Sequence, residues 1–229
     1  MTEVEQAAML DCHALRPPSG AGGVDDIGEL VRFDGRQRLG RRARLPANRL
    51  IDQHRPRTLV LCAGATPRMA PLQNQTWESF SENWNVDVAQ AFYWIRHALK
   101  RPLDPGTSVI VFSSGAAING SPASGGYAGA KATQRFIAAY AQDESRRAGL
   151  DITVTAVMPR MTAFGDVGRR GIRAYAARSG QTEEAYLTQL GQLLTPEEAG
   201  SALLELVSAD PASIAPGYLL TGAGLQQLP

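Results

Sequence analysis

From residue 57 onward the chain alternates short apolar runs, rich in β-branched residues, with longer stretches of helical periodicity. Such alternation is typical of βαβ units, in which parallel strands are joined by helices that cover the sheet. Strands are predicted at residues 58–62, 108–112, 151–157 and 217–221, and helices at residues 76–100, 127–147 and 195–208. The sequence therefore predicts an α/β fold with a doubly wound, mostly parallel sheet flanked by helices.

The first 45 residues do not follow this pattern. They hold a stretch rich in Pro and Gly at 16–23 and weak strand candidates at 9–15 and 29–33, and helical periodicity resumes only at 46–54. We predict a single domain over residues 1–229, with an irregular amino-terminal segment, 1–45, and a regular core, 46–224.

Composition narrows the function classes. The formal net charge of +1 argues against a globally basic nucleic-acid binder, although residues 32–49 carry seven arginines that form either a solvated face or a phosphate site. Two cysteines, Cys12 and Cys62, are too few for a disulfide framework, and no metal site is predicted because no other Cys or His stands at ligand spacing. Without a membrane-length apolar run or a signal peptide, a cytoplasmic protein without a membrane partner is expected.

Ser114, Tyr127 and Lys131 form the most informative motif. Ser114 follows the strand predicted at 108–112, and ligands of parallel sheets bind beyond the carboxyl ends of strands. Tyr127 and Lys131 are spaced i, i+4, so both side chains leave one face of the helix near its start. A nearby ammonium favours the phenolate of a tyrosine, and such a pair can pass a proton to or from a carbonyl or alcohol.

The scarcity of lysine strengthens this interpretation. The chain has two lysines, Lys100 and Lys131, against twenty-one arginines. A lysine therefore stands at position 131 in a sequence that elsewhere uses arginine, and an arginine does not replace a compact ammonium.

These residues and their surroundings resemble the short-chain dehydrogenase/reductase family, over about residues 46–224. The turn LVLCAGA at 59–65, the segment VMP at 157–159, the capping sequence TPEE at 195–198 and the strand at 217–221 extend the likeness. The resemblance implies a Rossmann-like fold, a nicotinamide cofactor, a carbonyl or alcohol substrate, and a homodimer or homotetramer through helices 76–100 and 127–147.

The resemblance also implies roles for individual residues. Ser114 would bind the reacting oxygen, Tyr127 would be the general acid or base, and Lys131 would favour the phenolate and hold the nicotinamide ribose. The implied catalytic set also includes Asp87, where the family has an asparagine. The implied cofactor-binding residues are Cys62, Ala63, Gly64, Tyr127, Lys131, Pro159 and Thr162.

The sequence departs from the family at several positions. The family's Gly-rich turn after the first strand, which holds the pyrophosphate, is absent, and SGAGG at 19–23 is only its nearest candidate. The carboxylate of Asp87 is expected to pair with Lys131, whereas Asn85 faces elsewhere on a regular helix. Arg160 follows Pro159 in place of glycine, and Cys62, which replaces an asparagine, is interpreted as a small buried residue.

Three hypotheses remain open on the sequence. The first is an NAD(P)-dependent oxidoreductase for a small-molecule substrate, with NADP slightly favoured because guanidinium groups suit a 2′-phosphate. The second is a cofactor-free acid/base catalyst, such as an isomerase, dehydratase or cyclase. The third is a non-catalytic subunit that has lost dinucleotide binding. The substrate is not predicted, although the segment 162–194 contains Arg169, Arg170, Arg173, Tyr175, Arg178 and Tyr186 as candidates for its wall.

Overall fold

The computed structural model describes residues 7–9 and 50–229. Its strands are Ala7–Met9 (β1), Thr58–Leu61 (β2), Thr107–Phe112 (β3), Ile152–Pro159 (β4), Gly217–Thr221 (β5) and Gly224–Gln227 (β6). They form one sheet in the order β1, β2, β3, β4, β5, β6, in which the first five strands are parallel and β6 runs antiparallel to β5. The predicted α/β fold with a mostly parallel sheet is confirmed.

Helices connect the strands. They are Trp77–Asn83 (α1), Ala89–Lys100 (α2), Ala116–Asn119 (α3), Gly125–Ala148 (α4), Asp166–Arg178 (α5), Glu183–Leu190 (α6) and Pro196–Ser208 (α7). A helical turn also covers residues 50–54, inside the helix predicted over 46–54. Single 3₁₀ turns lie at Leu72–Asn74 and Pro211–Ser213.

Apolar layers cover both faces of the sheet. Because successive side chains of a strand point to opposite faces, each buried strand contributes to two layers. Leu59 and Leu61 of β2 belong to one layer, which contains Trp94 of α2. Val60 belongs to the other layer, which contains Leu203 of α7. The arrangement explains why the strands appear as nearly continuous apolar runs in the sequence.

The predicted helix ends are present. Thr76 and Ser79 form a reciprocal capping box at the start of α1, and Thr195 and Glu198 form one at the start of α7. The main-chain N–H of Thr195 donates to the Glu198 carboxylate, and this bond lowers the pKa of Glu198. Gly149 ends α4 with a φ of 62°, in the left-handed region that glycine adopts readily.

Several element boundaries differ from prediction. The helix predicted over 76–100 is interrupted at Trp84–Val88, where the helix widens into a π-helical turn. The strand predicted at 151–157 runs from Ile152 to Pro159. The strand Ala7–Met9 meets the candidate at 9–15 only at Met9, and the rest of that candidate lies outside the described residues. The candidates at 10–49, including the arginine-rich segment and the SGAGG stretch, lie outside the described residues.

An apolar groove of about 400 Å³ lies between α2 and α4 and is lined by residues of both helices. Phe92, Ile95, Ile137 and Tyr140 are among its lining residues. Association into a homodimer or homotetramer through these helices stays a prediction. Among the described residues, no helix combines the length and the apolar character needed to cross a membrane.

Candidate active site

The predicted site residues near the strand ends lie at one edge of the sheet. In the parallel register, Leu61 of β2 lies opposite Val111 of β3, and Phe112 lies opposite Val157 of β4. The segment after β2, which includes Gly64, and the segment after β3, which includes Ser114, therefore begin at the same edge as the end of β4. The carboxyl edge of a parallel sheet is where ligands bind in folds of this class.

Main-chain hydrogen bonds fix the loop that carries Ser114. The N–H of Ser113 donates to the Val157 carbonyl, and the N–H of Gly115 donates to the Pro159 carbonyl, each at 2.8 Å. The Ser113 hydroxyl donates to the main-chain oxygen of Lys131 at 2.7 Å. Ser114 is thereby held between β4 and α4, although its own side chain takes no part in these bonds.

The start of α4 is fixed by close packing against α1. A Cβ atom at Gly126 would collide with the main-chain oxygen of Phe80, so only glycine allows the two helices this approach. Tyr127 comes next in the sequence and is half-buried. Because Gly126 has no side chain, α4 approaches α1 closely, and this approach fixes the position of the neighbouring Tyr127.

Tyr127 and Ser114 both have hydroxyl groups available for a ligand. No hydrogen bond within residues 50–229 uses the Tyr127 hydroxyl. The Ser114 oxygen accepts from the N–H of Ala116 at 3.2 Å, and its own hydrogen has no acceptor in that range. The Nζ atom of Lys131 lies 5.6 Å from the centroid of the Tyr127 ring. Within the described part of the chain, Tyr127 and Ser114 thus each have a hydroxyl without an acceptor, and an ammonium lies near the Tyr127 ring.

Asp87 forms a buried ion pair with Lys131. The distance from Lys131 Nζ to Asp87 Oδ2 is 3.3 Å, and the two side chains are 6% and 0% exposed. The carboxylate also accepts from the N–H of Ala65 at 2.8 Å and from Nδ2 of Asn83 at 3.2 Å. The pairing expected from the sequence is present. Because the carboxylate is buried, it has to be satisfied by this set of partners.

Gly64 makes room for the Asp87 carboxylate. A Cβ atom at position 64 would lie 2.7 Å from Asp87 Oδ2, which is closer than real Cβ contacts. The turn after β2 and the π-helical turn therefore pack directly against each other. Asn83 adds to this contact, since its Nδ2 atom donates to the main-chain oxygen of Ala65 at 2.9 Å.

Sequence reasoning missed Asn83 and Gln134. Asn83, and not Asn85, contacts Asp87: it is 1% exposed and precedes Asp87 by four residues. Gln134 is 0% exposed and follows Lys131 by three residues. Asn83 and Asp87 are four residues apart, and Lys131 and Gln134 are three residues apart. On a helix, these spacings bring the two side chains of each pair to the same face, so the sequence indicated both contacts.

The remaining predicted cofactor residues lie near the same edge. Ala63 packs against the apolar layer that contains Leu59, and Pro159 ends β4. The Thr162 oxygen accepts from the N–H of Phe164 at 3.2 Å. Cys62 is half-buried and packs against the apolar layer that contains Val60.

The segment after β4 is attached to the loop before α4. The hydroxyl of Tyr175, on α5, is hydrogen-bonded to Ser121, whose oxygen lies 2.5 Å from that of Ser124. Tyr175 stacks on Tyr186 of α6 with centroids 6.4 Å apart. Burial, with a smaller contribution from Tyr175, raises the pKa of Tyr186. The two tyrosines therefore pack as a unit beside the loop before α4.

Two arginines of the segment after β4 form ion pairs with acidic side chains. Arg169 pairs with Asp166 at 2.7 Å, and Arg173 pairs with Glu183 at 3.2 Å. Both pairs are exposed, so their contribution to stability is small. Arg160 is exposed as well, and its main-chain N–H donates to the Leu220 carbonyl at 2.9 Å.

The sequence matches a family model described as enoyl-(acyl carrier protein) reductase over residues 52–225. The chain belongs to the short-chain dehydrogenase/reductase family. The match covers well over half of the chain, and it includes every predicted site residue from Cys62 to Thr162. No curated protein matches the sequence significantly.

Solved structures of the family share the fold. A short-chain dehydrogenase from Mycobacterium avium matches with a TM-score of 0.62 and 21% identity over 87% of this chain. A xylitol dehydrogenase solved with NAD⁺ matches with a TM-score of 0.67, 17% identity, 80% coverage of this chain and 75% of its own. The protein ElxO, solved with NADP, matches with a TM-score of 0.66, 17% identity and coverages of 85% and 77%.

The lengths differ among these proteins. This short-chain dehydrogenase/reductase chain covers 63% of the Mycobacterium avium chain. At identities of this level the similarity shows a shared fold. The activities of the neighbours are not assigned to this chain on that basis.

Proposed function

We propose that this chain is an NAD(P)-dependent oxidoreductase that transfers a hydride between a nicotinamide cofactor and a carbonyl or alcohol substrate. The observation that carries the proposal is the Lys131 ammonium 5.6 Å from the Tyr127 ring, together with the Tyr127 and Ser114 hydroxyls, which have no acceptor within residues 50–229. Membership of the family and the cofactor-bound state of two structural neighbours support it.

The described residues fit the nicotinamide half of such a cofactor. The turn at Ala63 and Gly64, the end of β4 at Pro159, and Lys131 all lie at the edge where the two hydroxyls are available. These residues would hold the nicotinamide and its ribose. The ADP half would lie nearer the amino-terminal residues, which the structure does not describe beyond Ala7–Met9.

The chain's own residues handle the proton and the substrate oxygen. When bound, the cofactor supplies or accepts the hydride. In the reducing direction the Tyr127 hydroxyl donates its proton to the carbonyl oxygen, and the Ser114 hydroxyl donates a hydrogen bond to that oxygen. The carbonyl carbon gains a hydride and the oxygen gains a proton, which gives an alcohol. In the oxidising direction the Tyr127 phenolate takes the proton back.

Lys131 supports Tyr127 in both directions. Its ammonium, held 5.6 Å from the ring centroid, stabilises the negative charge that the phenolate carries. Asp87 offsets part of that effect, because its carboxylate lies 3.3 Å from the same ammonium. A preference for NADP over NAD stays a prediction, since the arginines at 32–49 lie outside the described residues.

Hydride transfer is tested by isotope labelling. The protein is incubated with NADH and NADPH that carry deuterium at the transferable position, in either stereochemical form, together with a panel of ketones and aldehydes. We expect alcohols that contain one deuterium on the carbinol carbon. Products that form equally well without nucleotide, or alcohols without deuterium from every labelled cofactor, would contradict the proposal and favour a cofactor-free acid/base catalyst.

A further inference from the structure

Gln134 is a wholly buried glutamine that uses both ends of its side chain. Its Oε1 atom accepts from Lys131 Nζ at 2.9 Å, and its Nε2 atom donates to the main-chain oxygen of Asp87 at 2.9 Å. The residue is 0% exposed. A buried amide is costly unless its polar atoms have partners, and these two bonds satisfy both ends of the Gln134 side chain.

The contacts of Gln134, Asp87 and Lys131 form a closed ring of three interactions that includes the ammonium. Lys131 bonds to Gln134, Gln134 bonds to the Asp87 main chain, and the Asp87 side chain pairs with Lys131. The ring joins α4 to the π-helical turn at Trp84–Val88. It restrains Lys131 from two directions, through one charged partner and one neutral partner.

The ammonium contacts two neutral acceptors and one carboxylate. Besides Gln134 and Asp87, Lys131 Nζ donates to the main-chain oxygen of Phe112 at 3.2 Å. Asp87 is its one ion-pair partner within residues 50–229. Gln134 and the Phe112 carbonyl therefore hold the ammonium without cancelling its charge, whereas Asp87 holds it and cancels part of that charge.

We propose that Gln134 is a positioning residue that keeps the Lys131 ammonium beside Tyr127 and limits its pairing with Asp87. The inference rests on the proposed function, in which Tyr127 is the acid or base. Without the amide oxygen, the ammonium keeps one neutral acceptor and lies closer to the Asp87 carboxylate. The closer ion pair reduces the positive charge that Tyr127 experiences, and the phenolate then forms at higher pH.

The test compares Gln134→Met with Gln142→Met. Both glutamines lie on α4, and Gln142 makes a structural bond, since its Oε1 accepts from the N–H of Val154 at 2.5 Å. We expect Gln134→Met to lower kcat about tenfold at neutral pH and to move the rising limb of the pH profile for alcohol oxidation upward by about one pH unit. Gln142→Met should lower thermal stability and leave the profile unchanged.

A second variant covers the case in which Gln134→Met folds poorly. Gln134→Asn keeps an amide that is one methylene too short to reach Lys131 and the Asp87 carbonyl together, so a shift in the same direction is expected. If both Gln134 variants lose stability as Gln142→Met does, while kcat and the pH profile stay at parent values, Gln134 is merely structural and the inference is wrong.

A readout without turnover separates this inference from the proposed function. Ultraviolet difference titration follows tyrosine ionisation, and subtraction of the Tyr127→Phe spectrum isolates one of the six tyrosines of the chain. The Tyr127 component should ionise at higher pH in both Gln134 variants than in the parent. If no dehydrogenase activity is found, this shift still supports the inference, and an unshifted titration overturns it.

Discussion

Replacement of Tyr127 by phenylalanine is expected to lower kcat by about a thousandfold while the protein stays folded. The change removes only the hydroxyl, and proton transfer by a positioned side chain contributes roughly 10²-fold to 10⁴-fold to a rate. Stability should hardly change, because no hydrogen bond within residues 50–229 uses that hydroxyl. Steady-state kinetics with NADH or NADPH and thermal unfolding together measure both parts of this expectation.

Tyr140→Phe provides the matched control. Tyr140 lies on the same helix, α4, and is 66% exposed, so the loss of its hydroxyl should leave kcat and stability at parent values. If Tyr127→Phe keeps more than about a tenth of the parent kcat, Tyr127 is not the proton donor. If Tyr140→Phe loses activity to the same extent, the effect comes from the helix and not from the site.

Asp87→Ala is expected to lower the free energy of unfolding by about 3 kcal/mol or more. The substitution leaves the buried Lys131 ammonium without its counter-charge. It also removes the acceptor of two further donors, the N–H of Ala65 and Nδ2 of Asn83. Loss of one member of a buried pair is costly because the other charge stays out of water without compensation. Equilibrium unfolding in urea measures the change.

Glu183→Ala is the matched control for this loss. Glu183 pairs with Arg173 at the surface, with side-chain exposures of 75% for the arginine and 51% for the glutamate. Exposed pairs of this kind are worth about 0 to 1 kcal/mol, so stability should change little. If Asp87→Ala destabilises the protein no more than Glu183→Ala does, the Asp87 ion pair does not hold this part of the fold together.

The regular part of the fold could be predicted because it depends on local patterns. All four residues of Thr58–Leu61 are buried, and the last three form an apolar run in the sequence. Thr195 and Glu198 form a capping box that can be read from four consecutive residues. By contrast, Gly224–Gln227 is a short edge strand with two polar residues, and its pairing depends on β5 beside it. Such an element has no pattern of its own to detect.

The chemical groups of the site could be predicted from the sequence, but the hydrogen bonds that link them could not. Ser114, Tyr127 and Lys131 have a spacing that is informative by itself. The ring through Gln134 depends on the π-helical turn at Trp84–Val88, which brings both the side chain and the main-chain oxygen of Asp87 to α4. Helical periodicity assumes a regular helix and cannot locate such a turn. The space that Gly64 leaves for Asp87 likewise depends on packing between distant segments.

The central claim, that this chain binds a nicotinamide dinucleotide, is tested most directly by calorimetric titration with NADH and with NADPH. The sequence lacks the family's Gly-rich phosphate turn, so binding has to rely on other residues for the pyrophosphate. Saturable binding of at least one nucleotide in the micromolar range, retained in Tyr127→Phe, is the predicted result. Absence of binding of both nucleotides at millimolar concentration would contradict the claim.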